Sequence, residues 1–129
     1  PNESEAEALT GVPVMSAETA EAAGRALIAK GAGATVLTLG ENGALYTDGA
    51  VVHQVAAIRA GDLVETTGAG DAFNGGLAGA LSEGTDAVSA MRFGTATAAI
   101  SVTRAGTAPS MPDRAEIDAL VAETFGSTV

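Results

Sequence analysis

Apolar positions recur at helical spacing over two N-terminal stretches. Glu3 to Leu9 reads as a short helix with Asn2 as its N-cap, closed by Gly11 and Pro13. Ser16 is a second N-cap. Ala20, Ala23, Leu27 and Ile28 form the apolar stripe of the helix that follows, and Lys30 and Gly31 end it. The period then changes. Thr35–Leu39 is a compact run rich in β-branched residues and predicts a buried strand. Gly40-Glu41-Asn42-Gly43 is a glycine-bracketed turn. Ala44–Thr47 and Val51–Val55 read as two strands joined across Asp48-Gly49, a hairpin signal. Ala56–Val64 predicts an irregular or partly extended approach to a loop at Gly68–Gly70.

Helical spacing returns from Ala72 to Leu81, with Phe73, Leu77, Ala80 and Leu81 on one face. Gly75, Gly76 and Gly79 each disfavour a helix by roughly 1 kcal/mol relative to Ala. Their presence predicts close packing of this helix against a sheet or a ligand. Gly84 stops it. Thr85 or Asp86 caps another helix with Val88, Met91, Ala99, Ile100 and Val102 inward, ended by Gly106 and Pro109. Asp113 starts a last helix with Ile117, Leu120 and Val121 apolar, and the tail from Gly126 is expected to fray. No repeat, low-complexity tract or linker marks an internal boundary. Helices mixed with strands give an α/β class, and so few strands for so many helices look like part of a larger sheet.

Composition sharpens this picture. The 129 residues suit one domain, and 47% hydrophobic with only 3% aromatic content means a core of Ala, Val, Leu and Ile. Six basic against sixteen acidic residues give a net charge of −10, which argues against nucleic acid or an anionic membrane as partner. A phosphate ligand would have to be held by backbone N–H groups, a few arginines and a metal ion. There are no cysteines, hence no disulfide framework and no thiolate metal site. The small-residue stretch Phe93–Val102 is too short for a membrane span and is flanked by Arg92 and Arg104. With no signal peptide visible at Pro1-Asn2-Glu3, a soluble, cytoplasmic protein is expected. The chain does not open on Met and reads as a piece of something longer.

Chemistry concentrates in Thr67-Gly68-Ala69-Gly70-Asp71. Glycine lets the backbone turn sharply and present N–H groups, and the helix that follows aims its partially positive N-terminus at the loop. That is a place for a phosphate. Asp71 there makes sense as the acceptor of a proton from an attacking hydroxyl. Equally, Asp71 reads as a first-turn carboxylate that favours the helix dipole, with the glycines merely turning the chain. The loop alone does not choose between these, and it is not a Walker A motif, since no Gly-Lys-Ser/Thr follows.

The longer run from Glu65 to Ala78 resembles the second signature of the ribokinase family, the phosphofructokinase-B type carbohydrate kinases. Three further segments resemble the family in order and spacing. Pro1-Asn2-Glu3-Ser4-Glu5 is similar to its Asn-x-x-Glu element, Thr38 to Gly43 to its ATP-contacting strand and loop, and Val102 to Pro112 to the stretch lining the adenine side and a monovalent cation. The resemblance implies a ribokinase-like three-layer, Rossmann-type α/β fold. Only the C-terminal part of the sheet with its helices is expected, residues 1–129 forming the nucleotide-binding portion.

It also implies roles. Asp71 is expected to be the catalytic base in a catalytic loop that starts at Gly68, with the N–H groups of Ala69, Gly70 and Asp71 stabilising charge on the transferring phosphoryl group. Asn2, Thr38, Leu39, Gly40, Glu41, Asn42, Gly43, Gly70, Asp71 and Thr95 would contact ATP. Glu5 would organise Mg2+. Glu65, Thr67, Ser101, Arg104, Gly106 and Ser110 would surround K+. Glu65 departs from the family, which usually has Asp there. Its extra methylene moves the carboxylate by about 1 Å, which puts that cation site in question. The implied reaction is ATP-dependent phosphorylation of a sugar, D-ribose first, with fructokinase-type and adenosine-kinase-type acceptors as alternatives. A non-catalytic nucleotide-binding fragment is the reading from outside enzymology. The family's first signature, its Gly-Gly sugar loop and its β lid have no counterpart here, so the chain is expected to be inactive on sugar alone and to self-associate. Arg104 is expected to contact phosphate or cap helix-end carbonyls. Arg59 and Arg92 are expected to pack or lie on the surface, and His53 to have a structural role.

Overall fold

The computed structural model describes residues 1–64, 66, 68–104 and 111–126 of the chain. They fall into two compact units, Pro1–Ala56 and Ala57–Val129, a division that nothing in the sequence pattern signals.

The first unit is built from small residues laid on a short sheet. Helix α1 (Glu3–Thr10) begins with Asn2 and Glu5 satisfying each other's backbone N–H groups, and Gly11 ends it in the left-handed conformation, at φ 75°. Helix α2 (Ala17–Ala29) begins at Ser16, whose side chain and that of Thr19 close the same reciprocal cap. Strands β1 (Thr35–Thr38), β2 (Ala44–Thr47) and β3 (Val52–Val55) form an antiparallel sheet in the order β1-β2-β3. Leu37 pairs with Leu45, and Leu45 with Gln54. Thr35, Leu37, Leu45 and Thr47 are buried, on the face that α2 covers. Gly24 is where α2 comes closest: a Cβ there would stand 2.8 Å from both Thr35 Oγ1 and Thr47 Cγ2. Ala6, Ala20, Ala23, Leu37, Leu39 and Leu45 complete this core.

The hairpin is wider than the Asp48-Gly49 signal suggests. β3 starts at Val52, leaving a four-residue connection in which Asp48 Oδ1 accepts from Ala50 N and Val51 N, both at 2.9 Å. Thr47 Oγ1 donates to the Val51 carbonyl at 2.8 Å, so that residue joins the turn and not the strand.

The second unit holds three helices, α3 (Ala69–Ser82), α4 (Ala87–Ser101) and α5 (Arg114–Phe125). Asp86 and Asp113 are the N-caps of α4 and α5, and Ala57–Val64 is irregular as expected. Two helix boundaries differ from the pattern. α3 starts at Ala69, three residues before the predicted Ala72. α4 ends at Ser101, short of Gly106 and Pro109. There Thr103 N bonds the Ile100 carbonyl and Arg104 N the Ser101 carbonyl, tightening the last turn until it stops.

The glycines of α3 also divide. Gly76 is tight against helix α4. A Cβ there would lie 2.4 Å from Thr97 Oγ1 and 3.1 Å from Gly94 Cα. Gly75 and Gly79 meet nothing within 4 Å. Phe73 and Ala80 are buried on α3, whereas Leu81, expected on the same face, is 47% exposed. On α4, Met91, Ala99 and Ile100 are buried, with Val88 and Val102 half-buried. α5 rests on α4 through Ile117, which packs with Ala96 and Ile100.

Candidate functional site

The candidate residues form two groups, one in each unit, and each group is described by itself. In the first, Thr38 N donates to the Pro1 carbonyl at 3.0 Å, which brings the start of α1 beside the end of β1. After Leu39 the chain makes a single 3₁₀ turn, Gly40–Asn42. Leu39 N donates to the Gly43 carbonyl at 2.7 Å and Gly43 N to the Gly40 carbonyl at 3.1 Å, closing the turn on itself. Gly40, Glu41 and Asn42 are exposed and Leu39 is buried. Gly43 is required on steric grounds: its φ is 88°, and a Cβ would sit 2.0 Å from the Val55 carbonyl oxygen.

Asn2 and Glu5, expected at nucleotide and magnesium, are spent in part on their own helix. Asn2 Oδ1 accepts from Glu5 N at 2.8 Å, and Glu5 Oε1 accepts from Asn2 N at 2.9 Å. The Asn2 amide nitrogen and the second Glu5 oxygen are not used by that cap. A cleft of about 310 Å³ opens beside this group, lined by Glu3, Val14, Met15, Ser16, Ala17, Leu39, Asn42 and Gln54. Met15 and Gln54 belong to no motif, and Ser16 is legible only as a helix cap. Only the meeting of α1, the segment leading into α2, and β3 puts them together, so periodicity alone had no means of finding them.

In the second unit, Gly68 precedes α3 with φ 88°, a conformation that favours glycine, and offers no side-chain cap. Gly70 is different. Its φ is not positive and a Cβ would meet nothing within 4 Å, so the local fold does not demand glycine there. What glycine leaves at position 70 is backbone that a ligand can approach. Asp71 is exposed in the first turn of α3. Ala69 N donates to the Thr66 carbonyl at 3.2 Å, so one of the three expected phosphoryl donors has a partner within the loop.

Thr95 and Ser101 are buried on α4. Thr95 Oγ1 donates to the Met91 carbonyl at 2.7 Å and Ser101 Oγ to the Ala98 carbonyl at 2.9 Å, while the Ser101 carbonyl accepts from Arg104 N at 3.2 Å. The Arg104 side chain pairs with Glu116 of α5. Glu65, Thr67, Gly106 and Ser110 lie outside the described residues. His53 stacks on Tyr46 with ring centroids 5.8 Å apart, in keeping with a structural role. Among the described residues no three His, Cys, Asp or Glu side chains gather as a metal site, and no helix is long and apolar enough to cross a membrane.

A glycine-led helix start bearing an exposed carboxylate stands in one unit, and a glycine-bracketed turn at a strand end in the other. The family model for pfkB family carbohydrate kinases matches residues 1–114, and the chain belongs to that family. It is 40% identical over 116 residues to ribokinase of Haemophilus influenzae, covering 90% of this chain and 38% of the relative. It is 44% identical over 113 residues to deoxyribokinase of Salmonella typhi, covering 87% and 36%. The structure of Arabidopsis thaliana ribokinase complexed with ribose and ATP superimposes with a TM-score of 0.89 at 35% identity, covering 94% of this chain and 39% of that one. The ribokinase-like α/β fold expected from the motifs is therefore the fold observed, and the chain spans less than two-fifths of these relatives' length.

Proposed function

We propose that this chain is the C-terminal, nucleotide-binding portion of an ATP-dependent sugar kinase, with conversion of D-ribose to ribose 5-phosphate as its reaction. One observation carries the reading: Gly68 and Gly70 bare the start of α3, and Asp71 stands exposed in its first turn. Asp71 takes the proton of the sugar hydroxyl while that oxygen bonds to the γ-phosphorus. The bond from the γ-phosphorus to the β,γ-bridging oxygen breaks, and ADP leaves. Backbone N–H groups of Gly70 and Asp71, joined by Ala69 once it exchanges its Thr66 partner, hold the charge that develops on the phosphoryl oxygens. Asn2 and the Thr38–Gly43 segment are assigned to the nucleotide, and Thr95 to the surroundings of adenine.

Glu5 suits Mg2+, since one carboxylate oxygen stays outside the cap and this ion is held by one or two carboxylates plus phosphates and waters. The ion would neutralise charge on the phosphates. K+ belongs to the same reading, with the Ser101 and Arg104 carbonyls, Glu65, Thr67, Gly106 and Ser110 as its ligands. A cytoplasmic location and self-association belong to it as well. Leu63 and Val64, 64% and 61% exposed, are apolar surface for a second copy to cover.

ATP titration of the 129-residue protein, as wild type and as Asp71→Ala, tests the reading. ATP binding within about twofold in both is expected, because a base contributes to the transition state and little to ground-state affinity. The chain alone should release no ribose-dependent ADP. Failure of the wild type to bind ATP removes the nucleotide role, and turnover by the isolated chain removes the division of labour.

A further inference from the structure

Helix α5 is held to its neighbours in an unusual way. Only Ile117 is fully buried on it, with Leu120 and Val121 half-buried. Its two ends are instead fastened by cations. At the start, the Arg114 guanidinium stacks 4.9 Å from the Phe93 ring centroid of α4 and its Nη1 reaches Glu83 at the end of α3 at 2.7 Å, while Nε reaches Asp118 within α5 itself at 3.1 Å. At the finish, the guanidinium of Arg92 on α4 lies 4.9 Å from the centroid of Phe125. Arg92 Nε is buried and has no hydrogen-bond partner, so its ring contact is what occupies it. Arg104 pairs with Glu116 in between.

Arg114, Glu83 and Asp118 are about half exposed, at 57%, 49% and 56%, so salt reaches these pairs. The match to the family model ends at residue 114, the first residue of this helix. We infer that α5 is a strap docked by a small apolar contact around Ile117 and fastened by charged contacts, so that salt loosens it while α3 and α4 stay folded. Releasing it bares Ala96 and Ile100 on α4. The inference stands apart from the kinase reading, because none of its contacts uses Asp71 or the glycine loop.

Amide hydrogen exchange on the 129-residue protein, read by mass spectrometry in about 20 mM and about 1 M KCl, tests it. Exchange protection of residues 114–125 should fall about tenfold at high salt, as several half-exposed charge contacts are screened together. Protection of α3 and α4 should hold. Arg92→Lys with Arg114→Lys keeps both charges but loses the planar stack. This double variant should lower α5 protection already at low salt. If it does not fold, the wild-type salt series decides alone. Equal α5 protection at the two salt concentrations overturns the inference, and so does loss of protection in α4 together with α5.

Discussion

Adding one methyl group along α3 should have opposite effects at positions three residues apart. At Gly79 an added Cβ meets nothing within 4 Å, so Gly79→Ala gains the helix propensity of Ala, about 1 kcal/mol. At Gly76 the same methyl would lie 2.4 Å from Thr97 Oγ1 and 3.0 Å from Thr97 Cβ. Thr97 cannot simply turn away, because its hydroxyl donates to the Phe93 carbonyl at 2.7 Å. Gly94 Cα, at 3.1 Å, blocks the other side with backbone. Overpacking of this kind costs about 1–3 kcal/mol, which against a propensity gain of about 1 kcal/mol leaves Gly76→Ala destabilised by about 1 kcal/mol at the middle of that range and by up to about 2 kcal/mol. Urea unfolding followed by circular dichroism at helix wavelengths reads both effects. With a slope of about 2 kcal/mol per molar for a small protein, the Gly79→Ala midpoint rises by about 0.5 M and that of Gly76→Ala falls by a similar amount. Thr97→Ala in the Gly76→Ala background removes the hydroxyl but leaves Gly94, so part of the loss should return. A Gly76→Ala midpoint that rises as far as that of Gly79→Ala refutes the close crossing of α3 and α4.

Three further outcomes are expected. Gly43→Ala places a methyl against the Val55 carbonyl at a positive φ, and should cost about 3 kcal/mol of stability, read as a lowered thermal midpoint. Asn2→Ala removes the α1 cap at a cost of about 1 kcal/mol; Asn2→Asp should restore that stability while weakening ATP binding, since like charge would then face the phosphates. Asp86 accepts from Ser89 N and Ser89 Oγ, and the backbone bond first, then the hydroxyl, holds its carboxyl below the ordinary 3.8. A lowered folded value means its capping contribution is complete above about that pH and lost as pH falls through the lower folded value. Asp86→Asn should therefore flatten the acid limb of a pH–stability curve, and an unchanged limb counts against this cap.

The helices with polar caps were legible, because Asn2, Ser16, Asp86 and Asp113 announce their starts in residue type as well as in position. The start of α3 was not. Gly68 and Gly70 look like loop by propensity, yet Ala72 N already bonds the Gly68 carbonyl at 2.9 Å and the helix begins around them. The end of α4 was misplaced for the opposite reason. Gly106 and Pro109 are strong stop signals, but the backbone tightens into i→i+3 bonds at Thr103 and Arg104, and the helix ends at Ser101. Of the candidate site, the glycine loop, Asp71 and the Gly40–Gly43 turn could be read because their chemistry is local in sequence. The cleft with Gln54 and Met15 could not, since it exists only where three distant segments meet.

The reciprocal cap of Asn2 and Glu5 limits how this protein can drift in evolution. On the proposed function, each side chain answers to two selective demands, the start of α1 and the nucleotide. Substitutes that satisfy the first, such as Ser at position 2 or Gln at position 5, lack the amide nitrogen or the charge that the second would use. Those that keep the charge but lose the cap leave the helix to fray. On that reading, a change at either position loses one of the two demands unless a second change in α1 makes it good.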